Sequence, residues 1–378
     1  MNLIGVVNTG STSTKLAIFG YENRNASAGE DLAEDLVELE RKNIPVEGVT
    51  NVYKEFLKDF NLRRKAVENF VTDFLQGRKG DKFVCIAARG GLLKPLKGGV
   101  YRVNNLMVED LLSCKYGNHP SNMAAPIAYG IAKKMEIEAF TAYPVITDEM
   151  DEITKYTGIP EIKRRSVFHA LNHKSVARYI SKKLGRRYED LNLIVCHMGG
   201  GITVGIHVNG KVVDVNNGLD GDGPFSIDRA GTVPAWDIIN MCFNGSYTAE
   251  DMRQKIVGNA GIYAYLGTKD AKLIEKIIDE NIEIDGISPE TAKMLVDACA
   301  YRVAKEICSL AAYTSGNIDA VVITGGLAYF KYLTKEIKRR VSFLAMFIEY
   351  PGENELRALA EYSFLALVGQ EKILNYGS

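Results

Sequence analysis

The chain has 378 residues, of which 46% are apolar and 25% charged, and its formal net charge is −1. This is the composition of a soluble globular protein, and the near-neutral charge argues against nucleic acid or a membrane as partner. A single hydrophobic core rarely serves so long a chain, so we expect two domains. The six cysteines form no CxxC pair, and no apolar run suits a signal peptide or a membrane span. We therefore expect free thiols and a cytoplasmic protein.

The first predicted element is an apolar strand that stops at the polar stretch NTGSTSTK before a second apolar run begins. A loop of such small residues between two strands exposes backbone N–H groups and short hydroxyls, and Lys15 adds a positive charge. These features suit a phosphate group, although a polar turn in solvent has the same composition. The candidate phosphate-binding residues are Asn8, Gly10, Ser11, Thr12, Ser13 and Lys15.

A helix and a buried strand follow in the first half. Apolar residues at helical spacing predict a helix over residues 52–75, and an apolar run predicts a strand over 83–87. The strand is followed directly by Arg89, Gly90 and Gly91. An arginine in that position is suited to bidentate contact with carboxylate or phosphoryl oxygens, and the alternative is a surface charge at a strand end.

The second half repeats the plan of the opening. An apolar strand ends at a glycine-rich break, an alternating strand follows, and Asn209-Gly210 predicts a type I′ turn into a third strand. The residues of this second candidate phosphate loop are His197, Gly199, Gly200 and Gly201. Two copies of the same strand-turn-strand plan predict two similarly built domains that face each other across a cleft.

A long helix and a third glycine break complete the pattern. Ser288 and Pro289 predict the helix start, and the strand over 318–324 ends at Gly325 and Gly326. Strands and helices alternate, which predicts an α/β fold. Three glycine breaks at strand ends favour a bound nucleotide. The chain has neither GxxxxGK[ST] nor a GxGxxG that opens a helix, so we expect hairpin loops to bind it.

Five motifs occur in the order found in the acetate kinase branch of the sugar kinase, heat-shock ATPase and actin superfamily. The chain resembles this branch from residue 4 to about residue 367, in NTGSTSTK, RRSVFHALNHKSVAR, CHMGGGITVG, ITGGLAYF and PGENELRALA. Three further segments resemble butyrate kinases and branched-chain fatty acid kinases, namely AYLGTKD, DGDGPFSIDRAG and GNHPSNMAAPIA.

The resemblance implies a fold and an activity. The fold is two actin-like (ribonuclease H-like) domains, with domain I at 1–150 plus 355–378, where the amphipathic C-terminal helix returns, and domain II at 151–354. The activity is reversible transfer of the γ-phosphoryl group of ATP to a short-chain carboxylate, which gives ADP and an acyl phosphate and requires Mg²⁺. We expect the phosphates near 8–13 and 199–201, and the adenosine near 325–326. The family also suggests a homodimer or higher homo-oligomer.

Roles for individual residues follow from the same resemblance. His169 would stabilise the transferring phosphoryl group, His197 would contact a phosphate, and His119 would line the substrate site. Asp148 would bind the metal with either Glu353 or Glu355, between which the sequence does not choose. His173 is left as a network residue and His207 as a structural one.

Two departures from acetate kinases bear on mechanism and substrate. The second catalytic arginine of acetate kinases has no counterpart at the matching position, and Arg229, several residues further on, is the candidate replacement. Gly90 and Gly91 stand where acetate kinases have branched apolar residues, which predicts a wider acyl pocket, walled by Phe168, that prefers butyrate or branched C4–C5 acids.

Three other functions stay open. An acetate or propionate kinase would have the same motifs. A sugar kinase would need a catalytic base, for which Asp148 is available. An actin-like or heat-shock-type ATPase module would keep the phosphate loops but would lack the pair of Arg89 and His169.

Overall fold

A computed structural model describes residues 1–11, 13–22, 35–46 and 53–377. They form a mixed α/β fold with two sheets. The chain divides into two compact units, Met1–Thr147 with Asn354–Ser378, and Asp148–Glu353. The sequence-based division at 150/151 and 354/355 lies within three residues of these limits.

The first unit contains a seven-stranded sheet in the order β12-β5-β6-β4-β1-β2-β3. In chain order its strands are β1 (Asn2–Thr9), β2 (Ser13–Tyr21), β3 (Val37–Pro45), β4 (Lys82–Ala88), β5 (Val100–Arg102), β6 (Glu138–Ala142) and β12 (Ile373–Asn375). Its helices are α1 (Tyr53–Leu75), α2 (Asn105–Leu112), α3 (Ala124–Lys134) and α12 (Glu355–Leu367), with a short 3₁₀ helix at Pro120–Met123.

The second unit contains a five-stranded sheet in the order β11-β10-β7-β8-β9. Its strands are β7 (Leu193–Met198), β8 (Ile202–Val208), β9 (Lys211–Val215), β10 (Ala320–Gly325) and β11 (Met346–Pro351). Its helices are α4 (Glu152–Lys155), α5 (Ala170–Lys183), α6 (Ala235–Phe243), α7 (Ala249–Ile256), α8 (Gly261–Leu266), α9 (Ala271–Glu280), α10 (Pro289–Leu310) and α11 (Lys331–Val341). Short 3₁₀ helices lie at Tyr188–Asp190, Ala311–Thr314 and Gly326–Tyr329.

The two sheets share one strand plan, which confirms the internal repeat. In the first unit β1, β2 and β3 form an antiparallel meander, and β1 pairs in parallel with β4 and β4 with β6. In the second unit β7, β8 and β9 form the meander, and β7 pairs in parallel with β10 and β10 with β11. Parallel strands buried on both faces must be continuously apolar, which explains the uninterrupted apolar runs in the sequence.

Local signals in the sequence account for several element boundaries. The hydroxyl of Ser288 accepts a hydrogen bond from the N–H of Thr291 and so caps α10, whose first residue is Pro289. Asn209 and Gly210 both have positive φ, at 51° and 72°, as a type I′ turn requires. All six cysteines are unpaired, as expected. Among the described helices none is long and apolar enough to cross a membrane.

Candidate active site

The first polar stretch is mostly strand, which corrects the expected eight-residue loop. Asn8 pairs with Lys15 and Thr9 with Thr14 across the hairpin, so only residues 10–12 connect β1 to β2. The N–H of Gly10 donates to the carbonyl of Ser13 at 2.8 Å and tightens the turn. Short polar side chains sit in strand ends here because their hydroxyl and amide groups find partners there. Thr12, predicted to bind phosphate, lies outside the described residues; Ser11 and Lys15 are exposed.

A buried arginine, which the sequence analysis missed, supports this first turn. Arg63 of α1 is 2% exposed, and its Nη1 donates to the carbonyl of Gly10 at 3.0 Å and to Thr14 Oγ1 at 3.0 Å. Its Nε donates to both carboxylate oxygens of Asp59, each at 2.9 Å. The cation holds a backbone carbonyl of the turn and thereby orients the peptide groups beside it. The (i, i+4) spacing of Asp59 and Arg63 was the signal available in the sequence.

Three predicted site residues form one cluster in the first unit. The Nδ2 of Asn8 donates to Glu355 Oε2 at 2.5 Å, and Arg89 Nη1 lies 3.5 Å from the same oxygen. Arg89 follows β4, and its N–H continues the ladder by donating to the carbonyl of Val7 at 3.0 Å. The oxygen of Asn8, Oδ1, is buried and has no hydrogen-bond partner among the described residues. The cluster thus combines a guanidinium, a carboxylate and an unsatisfied amide oxygen.

Gly90 and Gly91 are explained by close packing, and the expectation that they widen a pocket is wrong. A Cβ on Gly91 would lie 2.6 Å from the Cα of Asn122, and one on Gly90 would lie 2.9 Å from Thr141 Oγ1. Asn122 is fully buried and accepts a hydrogen bond from the N–H of Leu92 at 2.8 Å. The missing side chains are therefore replaced by protein atoms and leave no space for a longer acid.

His119 caps the 3₁₀ helix that precedes α3. Its Nδ1 accepts a hydrogen bond from the N–H of Ser121 at 3.2 Å and lies 2.8 Å from Ser121 Oγ. The carbonyl of Pro120 in turn accepts from Thr9 Oγ1 at 2.7 Å, next to the first turn. The imidazole therefore has a local structural role, and its substrate role stays a prediction.

The second glycine break is a three-residue turn, residues 199–201, between β7 and β8. Neither a positive φ nor crowding requires glycine at 199 or 200, where a Cβ would find its nearest neighbours at 3.6 and 3.7 Å. The neighbouring atoms are carboxylate oxygens of Glu353 and Asp228, respectively. Ser226 Oγ donates to the carbonyl of Gly200 and anchors the turn. These glycines leave the backbone accessible, as phosphate binding requires.

The two glycines of the third break differ from each other. Gly325 has φ of +90°, and a Cβ there would lie 2.8 Å from the carbonyl carbon of Met198. Gly326 has no atom within 4 Å of such a Cβ and needs no special backbone conformation. Structure alone therefore explains Gly325, whereas Gly326 leaves an open surface at the end of β10.

His169 and His197 stack at the end of β7 beside the second turn. Their ring centroids are 4.2 Å apart, and His169 Nδ1 lies 2.9 Å from Thr203 Oγ1. His197 is fully buried, its ring nitrogens have no hydrogen bond to described residues, and its Nε2 lies 3.4 Å from Glu353 Oε1. Glu353 thus lies with the histidines of the second unit, whereas Glu355 lies with Asn8 and Arg89 in the first.

The remaining predicted residues of the second unit have partners of their own. Asp148 Oδ2 pairs with Lys155 Nζ at 2.8 Å, and Arg229 Nη1 with Asp228 Oδ1 at 2.5 Å. Phe168 is buried with its ring edge-on to His173, 5.1 Å between centroids, so it packs into the network of that histidine. The roles predicted for these residues stay predictions.

The oxygen donors of the first unit fit a magnesium ion. No group of three or more histidine, cysteine or acidic side chains that could hold a metal occurs within the described part of the chain. Magnesium, however, is commonly bound by one or two protein oxygens together with waters and phosphates. The buried, unsatisfied Asn8 Oδ1 next to the Glu355 carboxylate supplies two such oxygens.

The sequence model of the acetokinase family matches residues 151–349, just over half of the chain. The chain belongs to the acetokinase family. Members of this family are kinases of short-chain carboxylates that use ATP and Mg²⁺.

Three solved structures are similar over nearly the whole chain. Acetate kinase from Porphyromonas gingivalis has a TM-score of 0.70 at 17% identity and covers 97% of this chain and 100% of its own. Acetate kinase from Entamoeba histolytica has a TM-score of 0.70 at 16% identity, with coverage of 95% and 98%. A propionate kinase from Francisella tularensis subsp. tularensis SCHU S4 has a TM-score of 0.66 at 20% identity, with coverage of 96% and 99%. At these identities the similarity shows the fold alone.

Proposed function

We propose that this acetokinase transfers the γ-phosphoryl group of ATP to butyrate or a branched C4–C5 acid, reversibly, giving an acyl phosphate. The observation that carries the proposal is the cluster of Arg89, Glu355 and Asn8. A site that brings a carboxylate close to phosphates needs positive charge. A guanidinium beside oxygen ligands for a cation can supply it.

With a carboxylate as acceptor, the reaction needs no general base. A carboxylic acid with a pKa near 4 to 5 is already ionised at pH 7, so no proton has to be removed before attack. The chemical problem is instead repulsion between the carboxylate and the phosphoryl oxygens. Arg89 would orient the acid or the transferring group by its paired N–H donors. His169 would donate to phosphoryl oxygens and stabilise their charge in the transition state.

Magnesium would neutralise the nucleotide phosphates when bound. Asn8 Oδ1 and Glu355 are its proposed ligands in the first unit. The first is a buried oxygen that accepts no hydrogen bond from the described residues, and the second is a carboxylate 2.5 Å from the Nδ2 of the same side chain. Asp148 and Glu353 are the candidates in the second unit. The backbone N–H groups of residues 199–201 are the proposed phosphate donors of that unit, with Gly326 near the adenosine.

A sugar kinase is the weaker alternative. Such an enzyme needs an aspartate that accepts the proton of a hydroxyl, and Asp148 is the candidate named from the sequence. Its Oδ2 is 2.8 Å from the Lys155 ammonium and its Oδ1 accepts from the N–H of Met150 at 3.1 Å. Both oxygens therefore already accept from donors of the second unit, an arrangement that favours a structural role for this carboxylate.

The proposal also specifies the length of the acid, C4 or C5. With Gly90 and Gly91 assigned to packing, the preference for C4–C5 acids is supported by the three segments that resemble butyrate and branched-chain fatty acid kinases. Acetate or propionate is the alternative. Trapping of acyl phosphate with hydroxylamine, over straight and branched acids from C2 to C6 and with glycerol and glucose in parallel, tests both levels. Highest kcat/KM for a C4 or C5 acid supports the proposal, a preference for acetate or propionate restricts it to the family activity, and turnover only with the sugars contradicts it.

We also propose that the enzyme self-associates through α6. This helix has no buried residue and exposes large apolar side chains, with Trp236 71% and Phe243 85% exposed. Exposed apolar side chains grouped on one helix mark association surfaces. Light scattering after size exclusion should give a smaller particle for Trp236→Glu than for the wild type. Met294→Glu, at a site that is also 71% exposed but on α10, is the matched control and should not change the mass. A monomeric wild type would contradict the proposal.

A further inference from the structure

Four of the five histidines of the chain lie together in the second unit, and three of them form a continuous series of polar contacts. Thr203 Oγ1 lies 2.9 Å from His169 Nδ1 and 2.9 Å from His173 Nε2. The other nitrogen of His173, Nδ1, lies 3.3 Å from His207 Nε2. His207 Nδ1 lies 2.7 Å from the hydroxyl of Tyr188. We call this series, from Tyr188 through His207, His173 and Thr203 to His169, the histidine chain.

The two inner imidazoles are neutral. His173 and His207 are fully buried, and burial lowers the pKa of each well below the ordinary value. The neighbouring His207 lowers the pKa of His173 further, and Lys174 does the same for His207. A neutral imidazole has one N–H and one bare nitrogen. Each inner ring therefore donates on one side and accepts on the other.

Neutral rings give the histidine chain a single direction, because one proton occupies each contact. From Tyr188 to Thr203, therefore, either every donor points towards Thr203 or every donor points towards Tyr188. A bare imidazole nitrogen is a more basic acceptor than a phenol oxygen, so the Tyr188 O–H donates to His207 Nδ1. The Lys174 ammonium, 5.2 Å from the Tyr188 ring centroid, favours the same direction because it repels the positive ends of the N–H dipoles. Thr203 Oγ1 then accepts from His173 Nε2, which leaves the Thr203 O–H available to donate to His169 Nδ1.

We propose that Tyr188, His207, His173 and Thr203 are positioning residues that fix the tautomer of His169, with its Nδ1 bare and its proton on Nε2. The inference rests on the proposed function, in which His169 donates to a phosphoryl oxygen. A phosphoryl oxygen only accepts hydrogen bonds, so a neutral His169 is useful only if the nitrogen that faces it bears the proton. The hydrogen bond made by one imidazole nitrogen sets the protonation of the other.

The fold makes specific room for the histidine chain. A Cβ on Gly205 of β8 would lie 3.0 Å from Val212 Cγ1 and 3.3 Å from His173 Nδ1, so glycine at this position accommodates both the neighbouring strand and the imidazole ring. His173 and His207 are also parallel, with an interplanar angle of 8°. A purely structural role would need these contacts too, and the test must therefore measure the His169 tautomer itself.

The experiment uses the full-length protein labelled with ¹⁵N-histidine. Long-range ¹H–¹⁵N spectra distinguish a protonated from a bare ring nitrogen, and the five histidines give few signals. His169→Gln assigns the His169 signal. We expect the wild type to show a protonated Nε2 and a bare Nδ1 on His169. Because this readout is made on the wild type and needs no turnover, with His169→Gln used only for assignment, it decides the direction of the histidine chain even where a variant of Tyr188 or Thr203 does not fold.

Two variants then test whether the remote groups set that tautomer. Tyr188→Phe removes the first donor and Thr203→Val removes the last, and both should populate the form of His169 with its proton on Nδ1. Thr203→Ser keeps the hydroxyl and should keep the wild-type signal. Thr334→Val is the control, because this buried threonine of α11 donates only to a helix carbonyl, that of Lys331 at 3.2 Å. It should change nothing.

Activity provides the second readout. Thr203→Val should lower kcat about tenfold, as loss of a partner that orients a catalytic group does, with KM for the acid within about twofold of the wild type. Thr203→Ser should stay within about twofold in both. A wild-type His169 with its proton on Nδ1, or an unchanged tautomer in both Tyr188→Phe and Thr203→Val, would overturn the inference. The predicted tautomers without any acyl phosphate would instead overturn the proposed function.

Discussion

The two hairpin turns at residues 10–12 and 199–201 have the same length and the same place in the repeated sheet plan, but different surroundings. A buried cation, Arg63, supports the first turn through the carbonyl of Gly10. The second turn is anchored by Ser226 and bordered by the carboxylates of Asp228 and Glu353. The strand plan therefore determines where the turns expose backbone N–H groups. Residues from distant segments determine which chemical groups surround each turn.

The side chains nearby differ in the same way. In the first unit, Asn8 and Arg89 at strand ends lie with Glu355 of α12, a set suited to an acid and a metal ion. In the second unit, His197 at the end of β7 stacks with His169, the residue before α5. Under the proposed function the first unit would supply the arginine for the acid and two metal ligands, and the second the glycine turn and His169 for the phosphates. Each prediction below tests residues of one unit.

The largest effect is expected for Arg89→Ala. Loss of its charged, paired donors should lower kcat/KM for acyl phosphate formation by about 10² to 10³. Binding of ATP, measured by calorimetry, should change little, because the arginine is assigned to the acid and the phosphoryl group. Arg102→Ala is the control, since that arginine of the same unit forms an exposed ion pair with Glu138. If Arg89→Ala failed to bind ATP, the assignment of Arg89 to the acid and the phosphoryl group alone would be wrong.

Arg63→Met tests the cation that supports the first turn. The substitution leaves the carbonyl of Gly10, Thr14 Oγ1 and Asp59 without their donor, and should lower the free energy of unfolding by about 3 kcal/mol. Arg64→Met on the same helix removes only a partly exposed pair with Glu68 and should cost less than about 1 kcal/mol. Urea unfolding of both proteins measures the difference, and equal stabilities would show that the turn does not depend on Arg63.

Gly325→Ala and Gly326→Ala should differ in stability, because only Gly325 is required by the backbone and its packing. At 325 the backbone has φ of +90°, and a methyl group would approach the peptide of Met198, so we expect a loss of about 2 kcal/mol. At 326 nothing lies within 4 Å, and stability should stay within about 0.5 kcal/mol. Thermal unfolding of the pair checks this. Destabilisation by Gly326→Ala would mean that the open surface at the end of β10 is packed.

The smallest predicted effect is on the pH dependence of stability. The pKa values of His173 and His207 are lowered in the folded protein, so below about pH 6.5 the unfolded chain binds protons that the folded chain does not. The free energy of unfolding therefore falls as pH falls. His207→Gln removes one such group and should reduce the slope between pH 6.5 and 5 by about 1 kcal/mol per pH unit. Tyr188→Phe keeps both imidazoles and should keep the wild-type slope; an unchanged slope in His207→Gln would mean that this imidazole is charged in the folded state.

Much of the fold could be predicted from the sequence because its signals are local. The strands β1, β2 and β7 to β9, the Asn209-Gly210 turn and the Ser288 cap depend on residues within a few positions of each other. The length of the first turn could not be predicted. Asn8 and Thr14 are residue types that are common in loops, yet both are paired in strands here.

The site was harder to predict wherever it depends on distant residues. Gly91 suggested an enlarged pocket because the sequence does not show that Asn122, some thirty positions away, fills the space. Arg63 resembled one more charge on the solvated face of a helix, and Thr203 an ordinary strand residue. Histidine and arginine at strand ends were found because such positions rarely carry those side chains without a reason.

Phosphorus NMR of the wild-type enzyme with ATP, Mg²⁺ and a short-chain acid tests the central claim most directly. We predict that ATP signals decline while those of ADP and an acyl phosphate appear, that this requires both the acid and Mg²⁺, and that Arg89→Ala abolishes it on the same time scale. Adding ADP to the isolated acyl phosphate should return ATP. A protein that yields no acyl phosphate from any C2 to C6 acid, but phosphorylates glycerol or a hexose, would contradict the account.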